Sequence, residues 1–210
     1  MSSLYYSQYV LSDRDAWELN LTSSYGLHTF VCGLFDRTRN ADATDHSGIL
    51  FADKSGIAGR RGAARCRHLV ILSTWQPHVP RLGVLTTRSV PEKFFRADVY
   101  RFACTVNAVC RMRKTGRHVP LRDSGEIGDW FRSRAPQWGF SLWQDSSEVK
   151  GIVVDTFKKG SGTSVVTLSK ALLSGVLKVT NREAFIRSVR FGIGRGRAYG
   201  CGLLEISPLS

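Results

Sequence analysis

Two side chains three residues apart, Tyr25 and His28, are the pair in this chain best suited to acid–base chemistry. Thr22-Ser23-Ser24 just ahead of them offer N-cap hydroxyls. Leu27, Phe30, Val31, Leu34 and Phe35 then recur at i, i+3, i+4, i+7 and i+8, which predicts an amphipathic helix. On that helix Tyr25 and His28 share one flank beside the apolar stripe. Both lie in the first turns, where unpaired amides and the helix dipole favour a phosphate. An imidazole there can give or take a proton near neutral pH without a metal. Read alone, a histidine beside an apolar face is more often simply packed.

The second chemical feature is Phe191-Gly-Ile-Gly-Arg-Gly-Arg-Ala-Tyr-Gly-Cys-Gly-Leu-Leu204. Glycines 192, 194, 196, 200 and 202 let a backbone take positive φ and approach a ligand without Cβ obstruction. Arg195 and Arg197 add planar donors suited to phosphate. A dinucleotide-binding turn fails on order, because here a helical pattern precedes the glycines and a strand follows them. No G-x-x-x-x-G-K-[ST] is present. A flexible turn is the plain alternative.

Charge favours the phosphate reading. The 210 residues carry a net charge of +13 and 42% apolar residues, enough for a real core. Such an excess of cations favours a polyanion by attraction and counterion release. No long apolar run or basic amphipathic helix points to a membrane. Five cysteines, at 32, 66, 104, 110 and 201, form no CxxC pair, which argues against disulfides and structural zinc. The opening Met-Ser-Ser-Leu-Tyr-Tyr has no signal-peptide character. A cytoplasmic protein without metal or cofactor, oriented to nucleic acid, is the expectation.

The elements that must position these residues read as follows. Strands are expected at 4–11, 49–53, 67–74 and 83–87, with the Tyr25–His28 helix after the first and a polar loop at 37–48. From Tyr100 to Arg113 apolar and polar residues alternate with strict period two, predicting a strand with one core face. Ser124 can cap a helix presenting Ile127, Trp130 and Phe131. Strands at about 148–157 and 164–168, the second prolonged through 171–179 with a bend, flank the basic tip Lys158-Lys159-Gly160-Ser161-Gly162. Thr180 or Asn181 caps a helix with Phe185, Ile186 and Val189 inward, and the glycine loop leads to a closing strand. This β-α-β-β-α-β order is the split βαβ motif, and the first half fits a looser version with a degraded second helix. The expected class is α+β: two tandem ferredoxin-like, RRM-like domains at 1–90 and 98–210, joined by a linker at 91–97.

Three pieces carry a family resemblance: Tyr25-Gly-Leu-His28, the glycine run ending at Leu204, and Tyr100-Arg-Phe102 through Gly116-Arg-His-Val-Pro-Leu121. With length and element order, they resemble the CasE (Cse3) family of CRISPR repeat-processing endoribonucleases in type I-E systems. The resemblance implies metal-independent cleavage of repeat stem-loop RNA by attack of a 2′-hydroxyl, leaving 2′,3′-cyclic phosphate and 5′-hydroxyl ends. It gives His28 general acid or base duty and Tyr25 a positioning or proton-transfer role. Family members often carry a basic residue after the histidine, where this chain has Thr29, so the cation would come from Arg195 or Arg197.

For binding, the resemblance implies a hairpin held by shape and phosphates. Lys158 and Lys159 are candidates to enter its groove, with Arg111, Arg113, Lys114 and Arg117 as a second patch and Gly194 and Gly196 against the backbone. His118 in that basic loop suits RNA contact, His68 lies in an apolar strand, and His46 and His78 fall in loops. Implied partners are CRISPR repeat stem-loop RNA, as precursor and mature crRNA, and the other Cascade subunits. Two other readings remain: a non-catalytic RRM-like RNA-binding module, although no strand has the aromatic RNP signature, and a scaffold subunit of a ribonucleoprotein.

Overall fold

The structure, a computed structural model, describes residues 3–35, 48–55, 66–112, 116, 118–160 and 164–209. The expected 37–48 loop, Gly48 apart, and Ser161 and Gly162 of the hairpin tip lie outside the described residues.

Ten strands and four α-helices are described. In the first half, β1 (Tyr5–Ser12) runs into a short helix α1 (Asp13–Glu18), followed by α2 (Ser24–Gly33), β2 (Ile49–Asp53), β3 (Cys66–Ser73) and β4 (Val84–Ser89). The second half holds β5 (Val99–Asn107), β6 (Val109–Arg111), β7 (His118–Pro120), α3 (Ser124–Arg134), β8 (Phe140–Lys158), β9 (Val165–Val179), α4 (Arg182–Phe191) and β10 (Leu204–Pro208). Two four-stranded antiparallel sheets result, ordered β2-β3-β1-β4 and β10-β5-β9-β8. In both, the first strand lies between the third and fourth and the second takes an edge, as the ferredoxin-like expectation requires. β6 and β7 form a separate two-stranded ribbon.

Strand alternation divides the first sheet between two cores. Leu69 and Ile71 of β3 face α2 and pack with Leu27 and Val31. Their neighbours Val70 and Leu72 point the other way and join a core containing Phe102, Val189 and Leu203 of the second half. Burial on both faces explains why His68–Leu72 reads as a continuous apolar run rather than an alternating one. In the second sheet Tyr100, Phe102, Cys104 and Val106 are buried with Ile127 and Phe131 of α3 and Phe185 and Val189 of α4. Phe102 stacks on Phe131 with ring centroids 5.5 Å apart.

Several boundaries differ from the sequence expectation for identifiable reasons. α1 has only six residues, too few for a periodic signal, and is announced by Ser12 Oγ accepting from the Asp15 amide. Asp123, not Ser124, caps α3, its carboxylate accepting from the Glu126 amide. The single strand expected from Tyr100 to Arg113 is broken at Ala108, where the chain leaves the sheet to form the β6–β7 ribbon. β8 starts at Phe140 rather than near 148, because register shifts between Leu142 and Ser147 hide a strand inside a polar stretch. Gln144 takes φ 47° there. No helix occupies 74–83, so an irregular segment alone carries the chain across from β3 to β4, anchored where Tyr9 Oη donates to the Leu82 carbonyl at 2.5 Å. Within 91–97 a 3₁₀ turn, Glu92–Phe95, buries Phe95 in the core that both halves share.

Candidate active site

The helix that carries Tyr25 and His28 starts as its sequence dictates. Ser23 adopts an extended conformation and its Oγ accepts from the Gly26 amide at 3.0 Å, so α2 begins at Ser24. Tyr25 and His28 then share a flank, with ring centroids 6.4 Å apart. One turn beyond His28, Cys32 Sγ lies 3.5 Å from its Nδ1. Thr29 turns its hydroxyl back onto the helix and donates to the Tyr25 carbonyl at 3.1 Å.

The glycine loop meets this helix from the other half of the molecule. It is fixed by its own backbone: the Ile193 amide donates to Gly202 O at 2.9 Å, and the Gly202 amide donates to Thr105 O of β5 at 2.6 Å. Gly202 has φ +80°, and a Cβ there would sit 2.2 Å from the Ile193 carbonyl oxygen, so only glycine closes the loop. Gly194, also at positive φ, has nothing within 4 Å of an added Cβ, so its backbone faces open space. Arg197 spends one guanidinium nitrogen on the Phe191 carbonyl at 3.0 Å, tying the loop to the end of α4. Arg195 is exposed.

Tyr199, at the end of the loop's 3₁₀ turn, makes the junction. Its ring meets His28 edge-on at 5.5 Å and Phe157 of β8 at 4.8 Å. His28 and Cys32 of α2, Leu50 and Phe51 of β2, and the loop from Gly194 to Tyr199 line one open cleft of about 470 Å³. The three segments are far apart in sequence, yet they place an imidazole, a guanidinium and a glycine backbone around a single space. That set can exchange a proton and receive a phosphate.

Tyr25 lies at the edge of this arrangement, beneath the hairpin tip. A Cβ added at Gly160 would stand 3.4 Å from Tyr25 Oη, so the turn bearing the exposed Lys158 and Lys159 passes directly over the phenol. Arg111 is exposed on the β6–β7 ribbon, its Nε donating to Gly116 O at 3.2 Å. Arg113, Lys114 and Arg117 lie outside the described residues. Sequence reasoning singled out His28, Tyr25 and the loop as candidates, but not Tyr199 against His28 or Phe157 behind it. Tyr199 was visible as the one aromatic inside the glycine run. Phe157 had no signal beyond its place in a strand pattern. Among the described residues, no group of three or more His, Cys, Asp or Glu could hold a metal, and no helix is long and apolar enough to cross a membrane.

The sequence family described as CRISPR associated protein matches residues 4–208. The CRISPR-associated endoribonuclease Cse3 of Thermus thermophilus is 30% identical over 116 residues, 51% of this chain and 55% of that protein. The chain therefore spans about half the length of that curated relative in the matched region. A structure of Thermus thermophilus Cse3 bound to an RNA representing a pre-cleavage complex superposes with TM-score 0.77 at 19% identity, covering 98% of this chain and 100% of that one. A chain of a CRISPR RNA-guided surveillance complex gives TM-score 0.70 at 18% identity, covering 98% and 100%. These structural likenesses are of fold, and they extend over both sheets. With a family match over nearly its whole length, this chain belongs to the family described as CRISPR associated protein.

Proposed function

We propose that this chain is a metal-independent endoribonuclease that binds and cleaves CRISPR repeat stem-loop RNA and remains on the product as a subunit of a Cascade surveillance complex. The observation that carries the proposal is the shared cleft of His28 and the glycine loop, with Tyr199 against the imidazole. In the reaction the 2′-oxygen upstream of the cut forms a bond to phosphorus as the bond to the 5′-oxygen breaks. One proton leaves the 2′-hydroxyl and one is delivered to the departing 5′-oxygen. His28 handles one of these transfers, and the products are a 2′,3′-cyclic phosphate and a 5′-hydroxyl. Tyr25, under the hairpin tip, orients the substrate or relays a proton.

Charge on the phosphorane needs a cation, and Thr29 supplies none. Arg195 is the better candidate, being exposed at the cleft, whereas Arg197 is engaged with the Phe191 carbonyl. Preorganised charge of this kind is often the largest catalytic contribution. Gly194 and Gly196 line the cleft, and their backbone would receive the phosphate. Lys158, Lys159 and Arg111, together with Arg113, Lys114 and Arg117 of the basic segment, would track the phosphates of the stem. The protein acts in the cytoplasm and is divided functionally at 91–97, with the acid–base helix in the first domain and most RNA contacts in the second.

The test is cleavage of a type I-E repeat hairpin in EDTA, with product ends identified by mass. Cyclic phosphate ends from the wild type, and loss of cutting by about 10²–10⁴ in His28→Ala with RNA affinity kept, are expected. Tight binding without any cutting would favour the scaffold reading instead.

A further inference from the structure

β8 and β9 outrun their sheet. β5 accompanies β9 only from Lys178 back to Lys170. Beyond that point the two-stranded hairpin continues without β5, from the Val154–Ser169 pair to the Lys158–Val165 pair. This free arm crosses onto the start of α2, and three polar side chains from three segments meet at the crossing. Ser24 Oγ donates to Asp155 Oδ2 at 2.5 Å, and Lys170 Nζ donates to Ser24 Oγ at 2.5 Å. Lys170 Nζ also stands 2.9 Å from Asp155 Oδ2, closing a triangle.

The triangle is largely withdrawn from water: Ser24 is 6% exposed, and the Lys170 and Asp155 side chains 14% and 25%. It borders a small cavity of about 200 Å³ shared with Leu27, Tyr199 and Gly200. Lys170 is neutralised by Asp155, so it is not the free cation that Thr29 leaves wanting. Ser24 precedes Tyr25 directly and stands one helical turn before His28. A partly buried ion pair contributes little net stability, but it can fix one arrangement over its neighbours.

We propose that Ser24, Asp155 and Lys170 are positioning residues, a polar lock that registers the start of α2 against the hairpin arm and so sets Tyr25 and His28 relative to Tyr199 and the glycine loop. Its consequence for cleavage rests on the endoribonuclease reading above; its consequence for the helix does not. Two segments 131 residues apart hold each other here through charge-assisted hydrogen bonds, and the same arm carries Lys158 and Lys159 over Tyr25. An RNA stem seated on those lysines would thereby be in register with the imidazole.

Replacing both charges together keeps the proposal testable without unfolding the protein, since an apolar pair of similar volume leaves no buried charge unpaired. The double variant Asp155→Leu/Lys170→Met should melt within a few degrees of the wild type and bind a labelled type I-E repeat hairpin within about threefold. Its single-turnover cleavage should be at least tenfold slower. Ser24→Ala should slow cleavage in the same direction, and Ser24→Thr, which restores the hydroxyl, should recover most of the rate. In the RNA-free protein, amide hydrogen exchange across residues 24–33 should rise about tenfold in the double variant, while 182–191 in α4 stays unchanged.

Wild-type cleavage by the double variant, or unaltered exchange in α2, would overturn the lock. So would a loss of RNA affinity from Lys170→Met much greater than that from Asp155→Asn, which would make Lys170 an RNA ligand. A wild type that binds the hairpin without cutting would overturn the endoribonuclease reading alone, and the exchange measurement would still decide the lock.

Discussion

Replacing Tyr199 by alanine removes the ring that stands between α2 and the hairpin. The phenol ring contacts His28 at 5.5 Å and Phe157 at 4.8 Å, both edge-to-face. Each such pair is worth about 0.5–1.5 kcal/mol beyond the area it buries. Only the His28 pair orients the imidazole. If its whole value is felt in the transition state, cleavage falls about two- to thirteenfold at about 1.36 kcal/mol per decade. The Phe157 pair adds a further loss in stability, which thermal unfolding would report separately. Tyr199→Phe preserves both ring contacts and should cleave within about twofold of the wild type, because the ring and not the hydroxyl makes them. The assay is single-turnover cleavage of a repeat hairpin with enzyme in excess, alongside an affinity measurement on a non-cleavable 2′-deoxy hairpin. A Tyr199→Ala variant cleaving at the wild-type rate would refute the view that this ring holds His28. A Tyr199→Phe variant as slow as the alanine variant would instead assign the chemistry to the hydroxyl.

Three other outcomes follow from the geometry. Gly202→Ala forces a Cβ to 2.2 Å from the Ile193 carbonyl at φ +80°, so the loop must open; backbone strain alone costs about 1–3 kcal/mol, and calorimetry should show a lowered Tm with reduced cleavage. Burial alone would raise the Asp155 pKa, but hydrogen bonds from Ser24 and Lys170 and the Lys170 charge outweigh it and hold the carboxyl below its usual 3.8. Its contribution to stability is therefore present above pH 3.8 and lost as pH falls through the lowered folded value, so urea unfolding of wild type and Asp155→Asn should converge only in strong acid. Lys158→Ala/Lys159→Ala removes two exposed cations from the hairpin tip; the salt dependence of RNA binding, plotted as log affinity against log salt, should become shallower by about one to two units.

Much of this architecture was legible because local signals agreed with the tertiary outcome. α2 was visible in the spacing of Leu27, Phe30, Val31, Leu34 and Phe35 and in the serines ahead of them, and Ser23 caps it. Asn181 does the same for α4. The misplaced boundaries arose where a tertiary arrangement overrides local pattern. β8 conceals its first residues behind a register shift, and β5 ends inside an alternation that continues past Ala108. The candidate site divides in the same way. His28, Tyr25 and the glycine run carry residue types and spacings tied to chemistry. Phe157 against Tyr199, and Ser24 with Asp155 and Lys170, are brought together only by the fold, from positions up to 146 residues apart, so no spacing along the chain announces them.

We propose that His28 drives metal-free attack by a 2′-hydroxyl. The most direct measurement is single-turnover cleavage in EDTA of a repeat hairpin and of the same hairpin with one 2′-deoxy substitution at the cut, using wild type and His28→Ala. Cutting is expected only from the wild type on the all-ribose hairpin, with comparable affinity in every combination. Cleavage of the 2′-deoxy hairpin, or undiminished cutting by His28→Ala, would contradict it.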